Sequence, residues 1–126
     1  MSRYAVISDI HGNLHAFESV LQRIAELDVD GVICLGDIVG YGPHPGPCLD
    51  LVVRCSSITV RGNHDEAAVD PDCAAGFNGA AREAIYWTRD ALGPLHLHTL
   101  TQLRPVARQD ADEAGEAMLF VHDSPY

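Results

Sequence analysis

The chain is poor in basic residues. Only 8 of its 126 residues are Lys or Arg, against 18 Asp or Glu, and its formal net charge is −10. No Lys/Arg cluster is present, which argues against a nucleic-acid-binding module, because such modules carry a basic patch. A phosphate substrate remains compatible with the acidic balance, since bound metal cations would reverse the local charge. We therefore expect no broad nucleic-acid surface.

The sequence also lacks a long apolar run and a signal peptide. No run approaches the roughly 20 apolar residues that span a bilayer. The first strand reaches the charged Asp9 too early for the apolar region of a signal peptide. We therefore expect no membrane association and a cytoplasmic location.

Paired cysteine motifs are absent as well. No two cysteines have CxxC spacing, which excludes a zinc ribbon and a thioredoxin-type redox motif. Cys34 lies inside an apolar strand pattern and is predicted to be a small core residue. We expect four reduced thiols, at Cys34, Cys48, Cys55 and Cys73.

What is present favours one α/β domain over residues 1–126, with 47% hydrophobic residues to build its core. The first half alternates short buried strands with amphipathic helices, an order that implies parallel strands with right-handed crossovers. Asn13 is placed to cap the first helix. The predicted elements are strands at 4–7, 32–35 and 57–60, and helices at about 14–27 and 47–53.

The second half is less regular. Helical patterns cover 79–92 and 95–103, and strand patterns cover 105–107 and 117–121. The acidic stretch 109–115 is predicted to join these two strands as an exposed hairpin loop.

Each predicted parallel strand ends in residues that can bind metal. These ends are Asp9-Ile10-His11, Gly36-Asp37 and Gly62-Asn63-His64-Asp65. The carboxyl ends of parallel strands converge on one crevice, so these side chains are expected to meet there. Carboxylate, imidazole and amide oxygen suit a divalent ion of intermediate hardness, namely Mn, Fe, Zn, Co or Ni, among which we favour manganese.

This ligand set favours a site with two metal ions. A carboxylate that bridges two cations relieves their repulsion, and Asp37, alone at the central strand end, is the best candidate. Asn63 would add a neutral oxygen. A water shared by two metals loses a proton near neutral pH and becomes a nucleophile. His64 is then a candidate proton donor to the leaving group.

The ordered motifs, followed by an apolar strand and His122, resemble those of the calcineurin-like metallophosphoesterases. The stretches at 8–13 and 36–43 look like the small bacterial members of that superfamily. The resemblance implies a sandwich of two β-sheets flanked by helices. It also implies hydrolysis of phosphate mono- or diesters, on a small phosphoester or a phosphoprotein.

The resemblance further implies a role for each candidate residue. Asp9, His11 and Asp37 would hold one metal, and Asp37, Asn63 and His122 would hold the other. His64 would protonate or stabilise the leaving group.

Two departures from the family pattern stand out. The pattern continues to a Gly-His-x-His motif, whereas this sequence ends at Ser124-Pro125-Tyr126, so we expect three protein ligands per metal and an incomplete second sheet. Asp123 stands where the family usually has glycine. A competing hypothesis is therefore a catalytically weak metal-binding or interaction module, and a third is self-association into a homo-oligomer across an exposed sheet edge.

The other polar residues near these motifs receive plainer interpretations. His15 is predicted to be structural and His44 to be a solvated loop residue, although His44 could line the cleft. His96 and His98 lie in a helical pattern, where positions i and i+2 do not share a face, so metal binding is not expected there. Arg61 is equally compatible with a phosphate contact and with an exposed strand-end position.

Overall fold

The structure, a computed structural model, describes residues 2–111 and 115–124. Strands and helices alternate through its first half, and two helices and a pair of antiparallel strands complete the second half. The elements are β1 (Tyr4–Ile7), α1 (Leu14–Ala25), β2 (Gly31–Cys34), α2 (Pro45–Cys55), β3 (Ile58–Thr59), α3 (Asn63–Val69), α4 (Gly79–Ala91), α5 (Pro94–Gln102), β4 (Val106–Gln109) and β5 (Met118–Val121).

Two sheets are present in the described part of the chain. β1, β2 and β3 form a parallel sheet with β2 in the centre, with Tyr4 opposite Gly31 and Ile33 opposite Ile58. β4 and β5 pair antiparallel. The first sheet therefore has the predicted parallel order, and its carboxyl ends all point to the same edge.

The central strand separates two cores because its side chains alternate between the two faces of the sheet. Cys34 faces the helices, where it joins Leu49 and Ile85 among other buried apolar residues. Ile33 faces the opposite way and packs with Phe120 of β5. The result is the predicted sandwich, with helices on one side of the parallel sheet and a small antiparallel sheet on the other.

The predicted strands and helices are all present, with shifted boundaries. α1 begins after Asn13, whose side chain accepts a hydrogen bond from the Ala16 N–H as expected of an N-cap. α2 begins at Pro45, two residues earlier than predicted, because proline is tolerated in the first turn of a helix. β3 is shorter than predicted, and Val60 instead forms an isolated bridge to Arg104.

One α-helix and a short 3-10 helix, Pro71–Ala74, were not predicted. α3 begins within the third strand-end motif, and its apolar surface consists of Ala67, Ala68 and Val69, which are too small and too few to produce a clear helical pattern. The loop predicted at 109–115 lies partly outside the described residues, which exclude 112–114. None of the helices in the described ranges is long and apolar enough to cross a membrane.

Candidate metal centre

The turns after β1 and β2 bind each other through their backbones. The His11 N–H donates to the Asp37 carbonyl at 2.9 Å, and the Gly12 N–H donates to the Ile38 carbonyl at 2.8 Å. Asp9, His11 and Asp37 all have left-handed backbone conformations, with φ of 59°, 49° and 54°. This region is sterically disfavoured for residues other than glycine, and such residues cluster at functional sites. The two strand ends therefore form one interlocked structure.

The Asp37 carboxylate lies at the centre of the candidate site. Its Oδ1 accepts a hydrogen bond from the His64 N–H at 2.9 Å. Its Oδ2 lies 3.5 Å from His11 Nε2 and 3.3 Å from His122 Nε2. One oxygen of this buried carboxylate is thus fixed by the backbone, while the other faces two imidazole rings.

Both imidazoles are oriented by backbone carbonyl groups. His11 Nδ1 lies 3.0 Å from the Val39 oxygen, and His122 Nδ1 lies 2.7 Å from the Leu35 oxygen. Because a carbonyl oxygen can only accept, each Nδ1 carries the proton. Each Nε2 is then the nitrogen that faces Asp37 and is left to bind a metal, which is the arrangement of metal-binding histidines.

Asp9 completes this group of donors. Its Oδ1 lies 3.5 Å from His11 Nε2, and its Oδ2 accepts a hydrogen bond from Ser8 Oγ at 2.5 Å. One ligand atom from each of Asp9, Asp37 and His122 lies within 4.8 Å of the others. Two carboxylates and two oriented imidazoles fit a divalent ion of intermediate hardness.

Asn63 is the first residue of α3 and is exposed. It lines a cleft of about 130 Å³ together with His122. Arg61 lies in the same cleft, where its guanidinium forms an ion pair with Glu66 at 3.1 Å. The predicted amide ligand and the predicted histidine ligand therefore line the same cleft.

His64 follows Asn63 in α3 and is only 9% exposed. Its ring stacks on Phe77 at a centroid distance of 4.6 Å and lies 4.8 Å from the His11 ring. Burial lowers the pKa of His64, although the nearby Asp37 carboxylate acts in the opposite direction. The neutral imidazole is therefore the favoured form.

Asp65 has a structural role that the sequence reasoning missed. This fully buried carboxylate accepts hydrogen bonds from the backbone N–H groups of Asp37 at 2.8 Å, Ile38 at 2.9 Å, Val39 at 3.2 Å and Gly62 at 2.9 Å. Burial raises the pKa of the Asp65 carboxyl to about 6, against the lowering effect of the N–H groups of Gly62, Val39 and Ile38. The available signal was an acid at the third helical position, which is half of a capping box.

The remaining histidines lie outside this donor group. The rings of His15 and His44 contact each other at a centroid distance of 5.6 Å. His96 Nε2 lies 2.9 Å from Asp50 Oδ1 and links α5 to α2. His98 is exposed on α5, so the predicted helical setting of this histidine pair is confirmed.

Comparisons with known proteins identify the family of this chain. The profile of the calcineurin-like phosphoesterase family matches residues 2–123. An uncharacterized protein of Methanocaldococcus jannaschii is 36% identical over 124 residues, which are 98% of this chain and 50% of that protein.

Two crystal structures share the fold. A metallophosphoesterase from Sphaerobacter thermophilus has a TM-score of 0.73 and 41% identity over 87% of this chain and 44% of that one. A hypothetical protein from Pyrococcus horikoshii has a TM-score of 0.75 at 23% identity, over 88% of this chain and 51% of its own. The chain thus spans about half the length of these relatives. The motifs, the two sheets and these matches together show that the chain belongs to the calcineurin-like phosphoesterase family.

Proposed function

We propose that this chain hydrolyses phosphate mono- or diesters with two divalent metal ions held at the strand ends. The observation that carries the proposal is the position of Asp37 Oδ2, 3.5 Å and 3.3 Å from two imidazole nitrogens whose rings are oriented by backbone carbonyls. Membership of the family supports metal-dependent phosphoester hydrolysis in general.

We assign the donors to two sets that share the Asp37 carboxylate. Asp9 and His11, whose Oδ1 and Nε2 atoms lie 3.5 Å apart, form the first set, and His122 and Asn63, which line the same cleft, form the other. One ion would be held by the first set and Asp37, and the second by Asp37 and the other set. A bridging carboxylate offsets the repulsion between the cations, and manganese is the ion we favour for this mixed set.

When bound, the two ions would acidify a water molecule for attack on phosphorus and would neutralise the phosphoryl oxygens. The chain's own contribution is orientation and hydrogen bonding. His64 lies beside the ligand His11 and is held by Phe77, so its imidazole is fixed close to the reacting ester. Because burial favours the neutral ring, His64 would act at neutral pH as an N–H donor to the leaving-group oxygen.

The substrate class follows from charge and access. The chain has 18 acidic and 8 basic residues, which disfavours a long polyanion. Asp9 is exposed, so a phosphate ester could approach the candidate metal site from the side of this residue. We propose a small phosphoester or a phosphoprotein side chain as the substrate.

The test is to strip the purified protein of metal, reload it with manganese, and measure metal content with hydrolysis of nitrophenyl phosphate and bis(nitrophenyl) phosphate. We expect two ions per chain and turnover of at least one ester. Asp37→Asn should lose both, whereas His98→Ala, at an exposed position of α5, should lose neither. No metal uptake and no turnover above background would refute the proposal. Metal uptake without turnover would favour the metal-binding module instead.

A further inference from the structure

Tyr41 occupies an unfavourable backbone conformation at the mouth of the site. Its φ is 63°, in the left-handed region that bulky side chains rarely adopt. Its side chain is nevertheless 52% exposed. Its ring lies 5.1 Å, between centroids, from both His11 and His64.

The backbone around Tyr41 is bound to the turn that carries His11. The Gly42 N–H donates to the His11 carbonyl at 2.8 Å, and the His44 N–H donates to the Gly12 carbonyl at 3.0 Å. A Cβ atom on Gly42 would lie 2.3 Å from the His11 oxygen, so the two segments are in close contact. Tyr41 is therefore held beside the candidate ligand His11 by its own backbone.

Core packing does not explain this tyrosine. A buried ring could offset the unfavourable backbone conformation by removing apolar surface from water, but Tyr41 as a residue is half exposed. Glycine or asparagine would adopt the same conformation with less strain. An observed conformational outlier beside a candidate active site points to a functional role for its side chain.

We propose that the Tyr41 ring is the binding platform for a planar aromatic leaving group, and so selects aromatic phosphoesters. This inference rests on the proposed function, in which His64 meets the leaving-group oxygen. Phe77 stacks on the His64 ring at a centroid distance of 4.6 Å, and the half-exposed Tyr41 lies 5.1 Å from the same ring. A substituent on that oxygen therefore passes across Tyr41, where an aromatic ring gains a contact that an aliphatic group lacks.

The decisive comparison uses substrates that differ only in their ring. Phenyl phosphate and cyclohexyl phosphate have leaving groups of similar size, and only the first is aromatic. Adenosine monophosphate and ribose phosphate form a second pair, which distinguishes a ring on the leaving oxygen from a ring one sugar away. Each variant is compared with wild type on the same substrate, so intrinsic differences in reactivity cancel.

Tyr41→Asn removes the ring and tolerates the backbone conformation, whereas Tyr41→Phe keeps the ring. We expect Tyr41→Asn to lower kcat/KM for phenyl phosphate by about tenfold, chiefly through KM, which is the size of one aromatic contact. The cyclohexyl ester should change less than about twofold, and Tyr41→Phe should resemble wild type on both. Equal losses on the two esters, or no loss on either, would overturn the proposal.

Two further measurements separate this inference from other causes. A merely structural Tyr41 would make Tyr41→Asn less stable to urea, whereas relief of strain predicts stability equal to or above that of wild type. Binding of phenylphosphonate and cyclohexylphosphonate to the manganese-loaded protein tests the platform without turnover. Absence of a ring preference in wild type would overturn the platform even where hydrolysis is observed, and a Tyr41-dependent preference would support it even where hydrolysis is absent.

Discussion

The backbone N–H of Asp37 donates a 2.8 Å hydrogen bond to Oδ2 of Asp65, a carboxylate with no exposure to solvent. The same oxygen accepts the Gly62 N–H at 2.9 Å. One buried side chain therefore ties the turn after β2 to the start of α3. The position of the candidate bridging ligand depends on a residue that is not itself a candidate ligand.

Replacing Asp65 with alanine should destabilise the metal-free protein. Four buried N–H groups would lose their acceptor, and we expect a loss of about 3–5 kcal/mol in the free energy of unfolding. Asp65→Asn, which retains one acceptor oxygen, should lose less. The measurement is urea unfolding followed by circular dichroism, with Asp110→Ala, at an exposed position of the chain, as the control. Equal midpoints for Asp65→Ala and the control would contradict the role assigned here.

A methyl group on Gly62 should disturb the metal centre sterically. The Cβ would lie 2.1 Å from Asp37 Oδ1, while φ of Gly62 is −86°, which alanine adopts readily. We expect Gly62→Ala to weaken manganese binding roughly 10–100-fold, as loss of a supporting contact does in other metal sites. Calorimetric titration measures the change.

The matched control for that substitution is Gly79→Ala. A Cβ there would meet no atom within 4 Å among residues 2–111 and 115–124, so manganese affinity should stay at the wild-type value. The steric explanation fails if the two variants bind manganese equally well.

Substitution of His64 should affect the chemical step more than metal binding. We expect His64→Ala, which removes the imidazole N–H, to lower kcat by roughly 10²–10³ for an alkyl phosphate, the usual contribution of one hydrogen-bond donor to developing negative charge. The loss should be smaller for nitrophenyl phosphate, whose leaving group is a weak base. Metal content should be unchanged, since His64 is not among the candidate ligands. A uniform loss across both esters, or a fall in bound metal, would argue against a leaving-group role.

Two thiols should be protected from alkylation and exchange in the folded protein. Burial raises the pKa of Cys34 to about 12 and that of Cys48 to about 11, and only the thiolate reacts. At a pH of about 8, dithiobis(nitrobenzoate) should label the exposed Cys73 first and reach the two buried thiols only after unfolding. Four thiols reacting at one fast rate would contradict these positions.

The raised pKa values of Cys34 and Cys48 also predict how the free energy of unfolding changes at alkaline pH. The ordinary cysteine pKa is 9.0, and both folded values lie above it. The unfolded chain therefore loses these protons first as the pH rises, so the two thiols reduce stability progressively above about 9 and have no such effect at neutral pH.

The elements of the first half could be predicted, and the candidate ligands located, because both leave local signals. Apolar runs mark β1 and β2, Asn13 marks the start of α1, and each candidate ligand of the first half follows a strand end. Asp65 left only half a signal. Whether an acid at the third position of a helix faces solvent or a buried set of N–H groups depends on a segment up to 28 positions away in the sequence.

The orientation of the ligands was beyond local reasoning for the same reason. The carbonyl that orients His11 is 28 positions away, and the one that orients His122 is 87 positions away. The left-handed conformation of Tyr41 likewise depends on contacts with the turn that contains Gly12. Sequence patterns identified which side chains would meet, and the fold alone determines which atoms face one another.

His122 follows β5 in the antiparallel sheet, and its Nδ1 contacts the Leu35 oxygen just after β2 in the parallel sheet. An ion held by His122 and Asp37 would therefore join two layers of the sandwich. By mass action, an ion that binds only when the two sheets are packed together stabilises that packing. Docking of the antiparallel sheet and metal binding are then coupled. Removal of the metal by a chelator would then weaken the packing of β4 and β5 on the parallel sheet. The melting temperature would rise with the free metal concentration.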